Sequence, residues 1–361
     1  MTMRIGIDIS QIVYGTGVSF YTKELVRNLL RYDKENEYIL FGGSLRRIPD
    51  LKRFASSLAG RFSTKFVPVP PSIADLMWNQ IHFPKIEKLT GMIDVYHSSD
   101  WTQAPSDAFK VTTIHDLAPF KYPQFTNKKI IEVHKRRLNW INREADRIIV
   151  PSYATKNDLV KLGMEEDKIR VIYEASGEAF KPAIKSEIEQ VKRKYKIPGD
   201  YIFVVGVGGR KNTDKTISAF ELARAGKNLT LVLAGKGSEV YTNERNIRGI
   251  GQVDDKELAI LYSGASCLIY ASLYEGFGLV ILQAFACGCP VVTSDKSSMK
   301  EIAGDAAILV DPDSVSSIVE GIRKALAGPQ GLIKKGFERA KEFTWEKAAR
   351  ETMNVYKEAT K

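Results

Sequence analysis

The sequence is poor in cysteine and histidine: 361 residues hold 3 Cys and 4 His. The cysteines are Cys267, Cys287 and Cys289, with no C-x-x-C pair and no His at metal-ligand spacing. That excludes a zinc ribbon and a disulfide framework, and all three read as small buried hydrophobes of a reducing compartment. Long apolar runs are also absent; none approaches the roughly 18 residues a bilayer-spanning helix needs. No signal pattern opens the chain, because strand-like Arg4-Ile5-Gly6-Ile7-Asp8-Ile9 begins almost at once. The expectation is a cytoplasmic protein whose only membrane contact, if any, is peripheral. No fixed-period repeat, low-complexity segment, P-loop or G-x-G-x-x-G occurs. Nor is there the aromatic–basic interleaving of a nucleic-acid binder, so nucleic acid is not expected as a partner. Negative charge is in deficit: 43 Asp and Glu face 53 Lys and Arg, a formal charge of +10. That excess favours anionic partners, nucleotide diphosphates or an anionic membrane face among them.

What is present is an alternation of short apolar runs and amphipathic stretches from end to end. It predicts an α/β chain with largely parallel sheets. Strands are expected at Arg4–Ile9, Tyr38–Phe41, Lys65–Val69, Asp94–Tyr96, Val111–His115, Ile148–Pro151 and Arg170–Tyr173 in the first half. In the second half they are expected at Tyr201–Val205, Leu229–Ala234, Ile247–Gly249, Cys267–Tyr270, Val291–Thr293 and Ala307–Val310. Helices are expected at Val18–Arg31, Ile130–Ala145, Ile184–Tyr195, Thr213–Ala225, Lys256–Gly264, Leu279–Cys287 and Ser314–Ala327. The length suits two such domains, and Gly and Pro within Glu174–Pro182 mark the linker. Two similar α/β domains are expected to bind ligand in a cleft between them.

The most informative segment is Leu273-Tyr274-Glu275-Gly276-Phe277-Gly278-Leu279, a glycine-rich turn between a strand and a helix. Unpaired amides and the helix dipole at such a start suit a phosphate. Glu275 has the wrong charge for phosphate and suits sugar hydroxyls beside it. Phosphate donors plus an acceptor carboxylate predict a nucleotide-sugar site. Val204-Val205-Gly206-Val207-Gly208-Gly209-Arg210-Lys211-Asn212-Thr213 repeats the strand–turn–helix pattern. Arg210 supplies a planar fork and Lys211 a point charge, both suited to a diphosphate. Gly15 and Gly17, after the first strand, can also meet a phosphate or serve plain turn chemistry. His97 and His115 stand at strand ends, so at least one is expected to face the ligand; His82 and His134 read as structural. Asp311-Pro312-Asp313 spells a D-x-D but reads as a turn and helix cap rather than a metal site. Lys128, Lys129 and Lys135-Arg136-Arg137 share one helix and form either a solvated face or a docking surface for anionic lipid.

Taken together, these segments resemble family four of the retaining glycosyltransferases, and in detail its bacterial and archaeal mannosyltransferase-like members. The resemblance also rests on Gly251-Gln252-Val253-Asp254-Asp255, Leu76-Met77-Trp78-Asn79-Gln80, Ile114-His115-Asp116 and Thr344-Trp345-Glu346. It implies the GT-B fold: two Rossmann-like, doubly wound parallel-sheet domains and a last helix crossing back to the first. The implied division is 1–176 for the acceptor, 177–343 for the nucleotide sugar and 344–361 for the returning helix.

By this resemblance Glu275 bonds donor-sugar hydroxyls, and the amides of Gly276, Phe277, Gly278 and Leu279 surround sugar and phosphates. Arg210 and Lys211 neutralise the leaving diphosphate. Gln252 and Val253 meet the base, His115 reaches the sugar from the first domain, and Gly15 and Gly17 approach the phosphates. Two departures stand out. The family's second Glu of E-x7-E, which bonds the ribose, is Gln283 here, and its usual earlier Arg is replaced by Val207 or Gly208. The expected reaction is retaining, metal-independent hexosyl transfer from a nucleotide diphosphate sugar, GDP-mannose first, to a glycan or lipid-linked acceptor. No cofactor is expected. The alternatives are a GT-B nucleotide-sugar epimerase and a non-catalytic sugar-nucleotide-binding protein.

Overall fold

The computed structural model describes residues 2–224, 228–241 and 246–360. Ala225, the end of one expected helix, lies outside them, as do Met1 and Lys361 at the ends of two expected domains. The chain divides into two compact units, Met1–Glu174 with Trp345–Lys361, and Ala175–Thr344. The breaks fall within a few residues of those implied by the resemblance.

The first unit carries β1 (Arg4–Asp8), β2 (Glu37–Gly43), β3 (Phe62–Val67), β4 (Val95–Ser98), β5 (Phe109–Thr113), β6 (Arg147–Val150) and β7 (Ile169–Val171). They form one sheet in the order β3-β2-β1-β4-β5-β6-β7, with every pairing parallel. The second unit carries β8 (Asp200–Val205), β9 (Leu229–Ala234), β10 (Ile247–Gly249), β11 (Cys267–Tyr270), β12 (Val291–Ser294) and β13 (Ile308–Val310). Its order is β10-β9-β8-β11-β12-β13, again all parallel. Sheets covered by helices on both faces need strands that are apolar throughout. Leu229–Ala234 comes close to that condition: every residue is buried, and its one polar side chain, Thr230, donates to the Pro198 carbonyl. The strand order reverses between β1 and β4 in one sheet and between β8 and β11 in the other. Those reversals are where doubly wound sheets open for ligands.

All thirteen expected strands are present; Leu229–Ala234, Ile247–Gly249 and Cys267–Tyr270 keep their expected bounds and the others have shifted ends. β3 stops at Val67 rather than Val69, because Pro68 and Pro70 cannot donate to a ladder. β5 stops at Thr113, which leaves His115 two residues beyond the strand.

Helix Gly17–Tyr32 starts on a capping box between Thr16 and Ser19, and Tyr21, Leu25 and Leu29 recur every fourth residue on its buried face. Helix Trp345–Tyr356 packs on it within the first unit, with Trp345 against Phe20 and Tyr21 at 6.1 and 5.8 Å between ring centroids. Tyr356 shares a 2.6 Å hydrogen bond with His97 Nδ1, and Glu358 accepts from Arg147 and Arg170. The last helix therefore belongs to the first unit although the chain reaches it from the second. The three thiols are buried and free, and burial pushes Cys267 and Cys287 up to about 12.

Candidate functional site

β8 and β11 are neighbours at the reversal of the second sheet, so the turns that leave them lie side by side. Gly206 and Gly208 adopt φ of +82° and +120° in the first turn, where a side chain would be strained. A Cβ on Gly206 would also come within 3.1 Å of Lys211 Cε. The two turns are joined through backbone: Leu273 N–H donates to the Arg210 carbonyl at 3.0 Å. Asn212, at φ +59°, clamps the same region by donating to the carbonyls of Ala271 and Pro312 at 3.1 and 2.6 Å.

This frame brings Glu275, Lys211 and Arg210 into contact. Lys211 Nζ lies 2.7 Å and Arg210 Nη1 2.9 Å from Glu275 Oε1. Lys211 also donates to the Tyr270 hydroxyl at 2.9 Å and sits 4.8 Å from that ring's centroid. Arg210 bonds the Tyr274 carbonyl as well. Burial alone would raise the Glu275 carboxyl, but the two cations overcome it and hold it at about 2. Glu275 is 8 % exposed, whereas the Arg210 and Lys211 side chains keep about a quarter of their surface open to solvent. Its own carbonyl accepts from the hydroxyls of Ser297 and Ser298, each at 2.8 Å.

Helix Leu279–Ala286 begins directly after this turn. Gly278 at φ +113° forms its N-cap, and no side chain caps it. The first-turn amides therefore suit water or an anionic ligand. Gly276 and Phe277 are buried, and the Phe277 ring is committed to an edge-on contact with Phe343 at 6.2 Å. Only the backbone of Phe277 can serve a ligand. Gln283, on the same helix, is 6 % exposed and accepts from the Tyr262 hydroxyl at 3.3 Å. Gln252 is exposed and Val253 half-buried just past β10. There Gly235 N–H bonds the Gly251 carbonyl at 2.7 Å, and Gly206 N–H bonds the Ala234 carbonyl at 2.8 Å. Three glycine turns thus pack backbone on backbone at the ends of β8, β9 and β10. The middle one, Gly235-Lys236-Gly237, escaped the sequence reading, although its two glycines after a strand were a visible signal.

In the first unit, His115 is held by Glu174 (Nδ1 to Oε1, 3.2 Å) and stands edge-on to Tyr21 at 4.5 Å. Burial would lower its pKa, but Glu174, Asp100 and Asp116 raise it above the usual histidine value. His97 is structural. Its two nitrogens meet Tyr356 and Thr113, and burial depresses it to about 3. His82 stacks on Trp140 at 3.5 Å, and His134 lies tilted against Trp101 at 5.4 Å. Gly15 (φ +66°) and Gly17, the first residue of its helix, both have open space where a Cβ would stand. Asp8, buried at the end of β1 and pushed up by that burial, was not foreseen because it reads as part of a strand.

Two sequence motifs resolve differently. Asp311 and Asp313 are engaged by Lys296, and Asp313 also by Lys215, while Asp313 N–H bonds Asp311 within the turn. Among the described residues no group of three His, Cys, Asp or Glu side chains could hold a metal. In the basic helix, Arg137 is 1 % exposed and donates to Thr112 Oγ1 and the Thr113 carbonyl, and Arg136 pairs with Asp75 at 2.6 Å. Arg137 is thereby withdrawn from the helix's solvated face and Arg136 is tied to Asp75, while Lys128, Lys129 and Lys135 are exposed. No helix among the described residues is long and apolar enough to cross a membrane.

Residues 15–175 match Glycosyltransferase Family 4, and residues 185–345 match Glycosyl transferases group 1. The O-antigen chain mannosyltransferase B of Escherichia coli is 28% identical over 367 residues, spanning 95% of this chain and 96% of that protein. Anabaena HepE, solved in complex with UDP and glucose, has a TM-score of 0.72 at 16% identity, covering 99% of this chain and 100% of that one. WaaG, a glycosyltransferase involved in lipopolysaccharide biosynthesis, has a TM-score of 0.73 at 14% identity, covering 98% of this chain and 99% of its own. With both halves matched in order, the chain belongs to glycosyltransferase family four and is a glycosyltransferase of the two-domain GT-B fold.

Proposed function

We propose that this enzyme transfers a hexosyl group, mannose, from GDP-mannose to a hydroxyl of a glycan or lipid-linked acceptor, with retention and without a metal. The observation that carries the reading is the Glu275–Lys211–Arg210 constellation at the paired ends of β8 and β11, beside the uncapped start of helix Leu279–Ala286. Mannose is chosen because the full-length relative is named a mannosyltransferase.

When donor binds, its diphosphate draws Lys211 and Arg210, and Glu275 turns its oxygens to the sugar hydroxyls. Gln283 meets the ribose, and Gln252 and Val253 lie along the base. The amides from Gly276 to Leu279 surround the sugar and phosphates. The bond from the anomeric carbon to the phosphate oxygen breaks, and the acceptor oxygen forms its bond on the same face. The acceptor's proton passes to the leaving phosphate. Fixed cations and amides act on negative charge that grows in the transition state, which lowers the barrier without metal. Glu275 is a ligand of hydroxyls here, so no carboxylate is assigned to a double displacement.

A thermal-shift panel of nucleotide sugars in EDTA tests this, since a ligand bound only by the native state raises the melting temperature. GDP-mannose should give the largest shift. A shift that requires Mg²⁺ or Mn²⁺, or a larger shift by a different donor, contradicts the corresponding part of the assignment.

A further inference from the structure

The first unit has a second basic site whose charged residues the donor assignment does not use. A groove of about 410 Å³ runs between helix Gly17–Tyr32 and helix Ile48–Ser56, and Gly15 lies on its wall. Four cations line it: Lys23 and Arg27 from the first helix, and Arg47 and Arg53 from the second. The carboxylates present do not balance them. Asp50 is shared by Arg47 and Arg53, and Glu24 pairs with Arg27 at 2.5 Å. Lys23 has no carboxylate partner among the described residues and is only half-exposed. The floor is apolar: Ile12 and Phe54 are 3% and 6% exposed, and the Arg27 guanidinium lies 5.5 Å from the Phe54 ring centroid.

We infer that this groove binds a phosphate-bearing ligand with an apolar neighbour, that is, a phosphate or diphosphate ester. An ammonium without a partner supplies unspent positive charge. Three guanidiniums supply planar forks that match phosphate oxygens, and two of them are held in place by one carboxylate. The apolar floor adds a surface that a nucleotide diphosphate would not need but an ester's hydrocarbon would. Only the further identification of this ligand as the glycosyl acceptor rests on the function proposed above. The groove's affinity for phosphate does not.

The test is isothermal titration with inorganic pyrophosphate in the absence of donor. The wild type should bind in two classes, one of which Lys211→Ala abolishes. Lys23→Ser should weaken the other class at least tenfold and leave the Lys211-dependent class unchanged. Arg53→Ser, at a side chain 79% exposed, should act in the same direction without disturbing the fold. Flotation on phosphatidylcholine vesicles with and without phosphatidylglycerol separates the sources. Loss of pyrophosphate binding marks a soluble ester, loss of binding only to the anionic vesicles marks a lipid headgroup, and loss of both marks a phosphate ester presented at a membrane. If both variants keep wild-type pyrophosphate and vesicle binding, the groove is not a phosphate site. Absence of nucleotide-sugar binding would instead sink the donor assignment and leave the groove result standing.

Discussion

Glu275 accepts ion pairs from the two cations that the sequence assigns to a diphosphate. Donor binding is then an exchange of partners: phosphate for carboxylate at Lys211 and Arg210, hydroxyls for cations at Glu275. Glu275→Gln keeps shape but removes the competing charge. Pyrophosphate should bind this variant several-fold more tightly than wild type, while glycosyl transfer falls by about 100-fold or more. Calorimetry showing weaker pyrophosphate binding would refute the exchange. Because the carboxyl is held at about 2, against 4.5 for an ordinary glutamate, its contribution to stability is complete above pH 4.5 and disappears as pH falls toward 2. Glu275, Lys211 and Arg210 were legible in the sequence because each stands next to the glycines of a turn that follows an apolar run. Their mutual contact was not, since it depends on β8 and β11 becoming neighbours across more than one connection. Asn212, Ser297 and Ser298 hold the same turns through carbonyls, and nothing in their local sequence distinguishes them from ordinary turn residues.

Helix Leu279–Ala286 carries two demands at once: its start faces ligand and its body is core. Gln283 sits at the junction, buried and bonded to Tyr262. A glutamate there would still accept from Tyr262, and its second oxygen would offer the ribose an ionised acceptor. Gln283→Glu should therefore tighten donor binding by about 0.5–1.5 kcal/mol. In the donor-free protein the same charge is desolvated, so the melting temperature should fall. A lower melting temperature together with weaker donor binding would place Gln283 in the core rather than at the ribose. At this scale the sequence was readable where periodicity or turn residues spoke. Helix Gly17–Tyr32 was expected within one residue at each end, because its apolar face and its cap agree. The basic helix Lys128–Glu144 was also recognised, but its charge pattern concealed that Arg137 is buried and that Arg136 is paired with Asp75. A buried arginine bonded to backbone looks, in sequence, like any solvated one.

For the molecule as a whole, parallel strands and two α/β domains were legible from pattern, and the doubly wound sheets and returning last helix through resemblance. What ties that helix down was not. Tyr356 meets His97 across 259 positions of chain, and a strand-end histidine reads as readily for a ligand as for such a tie. Burial keeps His97 neutral to about 3, whereas the unfolded chain protonates it near 6.5. Unfolded chain thus binds the extra proton, and stability is lost as pH falls below 6.5, by up to about 2 kcal/mol near pH 5. His97→Asn should flatten the fall in melting temperature between about pH 6.5 and 5. An unchanged slope would remove His97 from this role.

In the proposed function the second domain's Glu275, Lys211 and Arg210 hold a sugar nucleotide for transfer. Release of GDP from GDP-mannose, measured with and without glycan acceptors in EDTA, tests it most directly. Acceptor-dependent release is expected in the wild type, with near-complete loss in Glu275→Gln. Release by Glu275→Gln at a substantial fraction of the wild-type rate would contradict it.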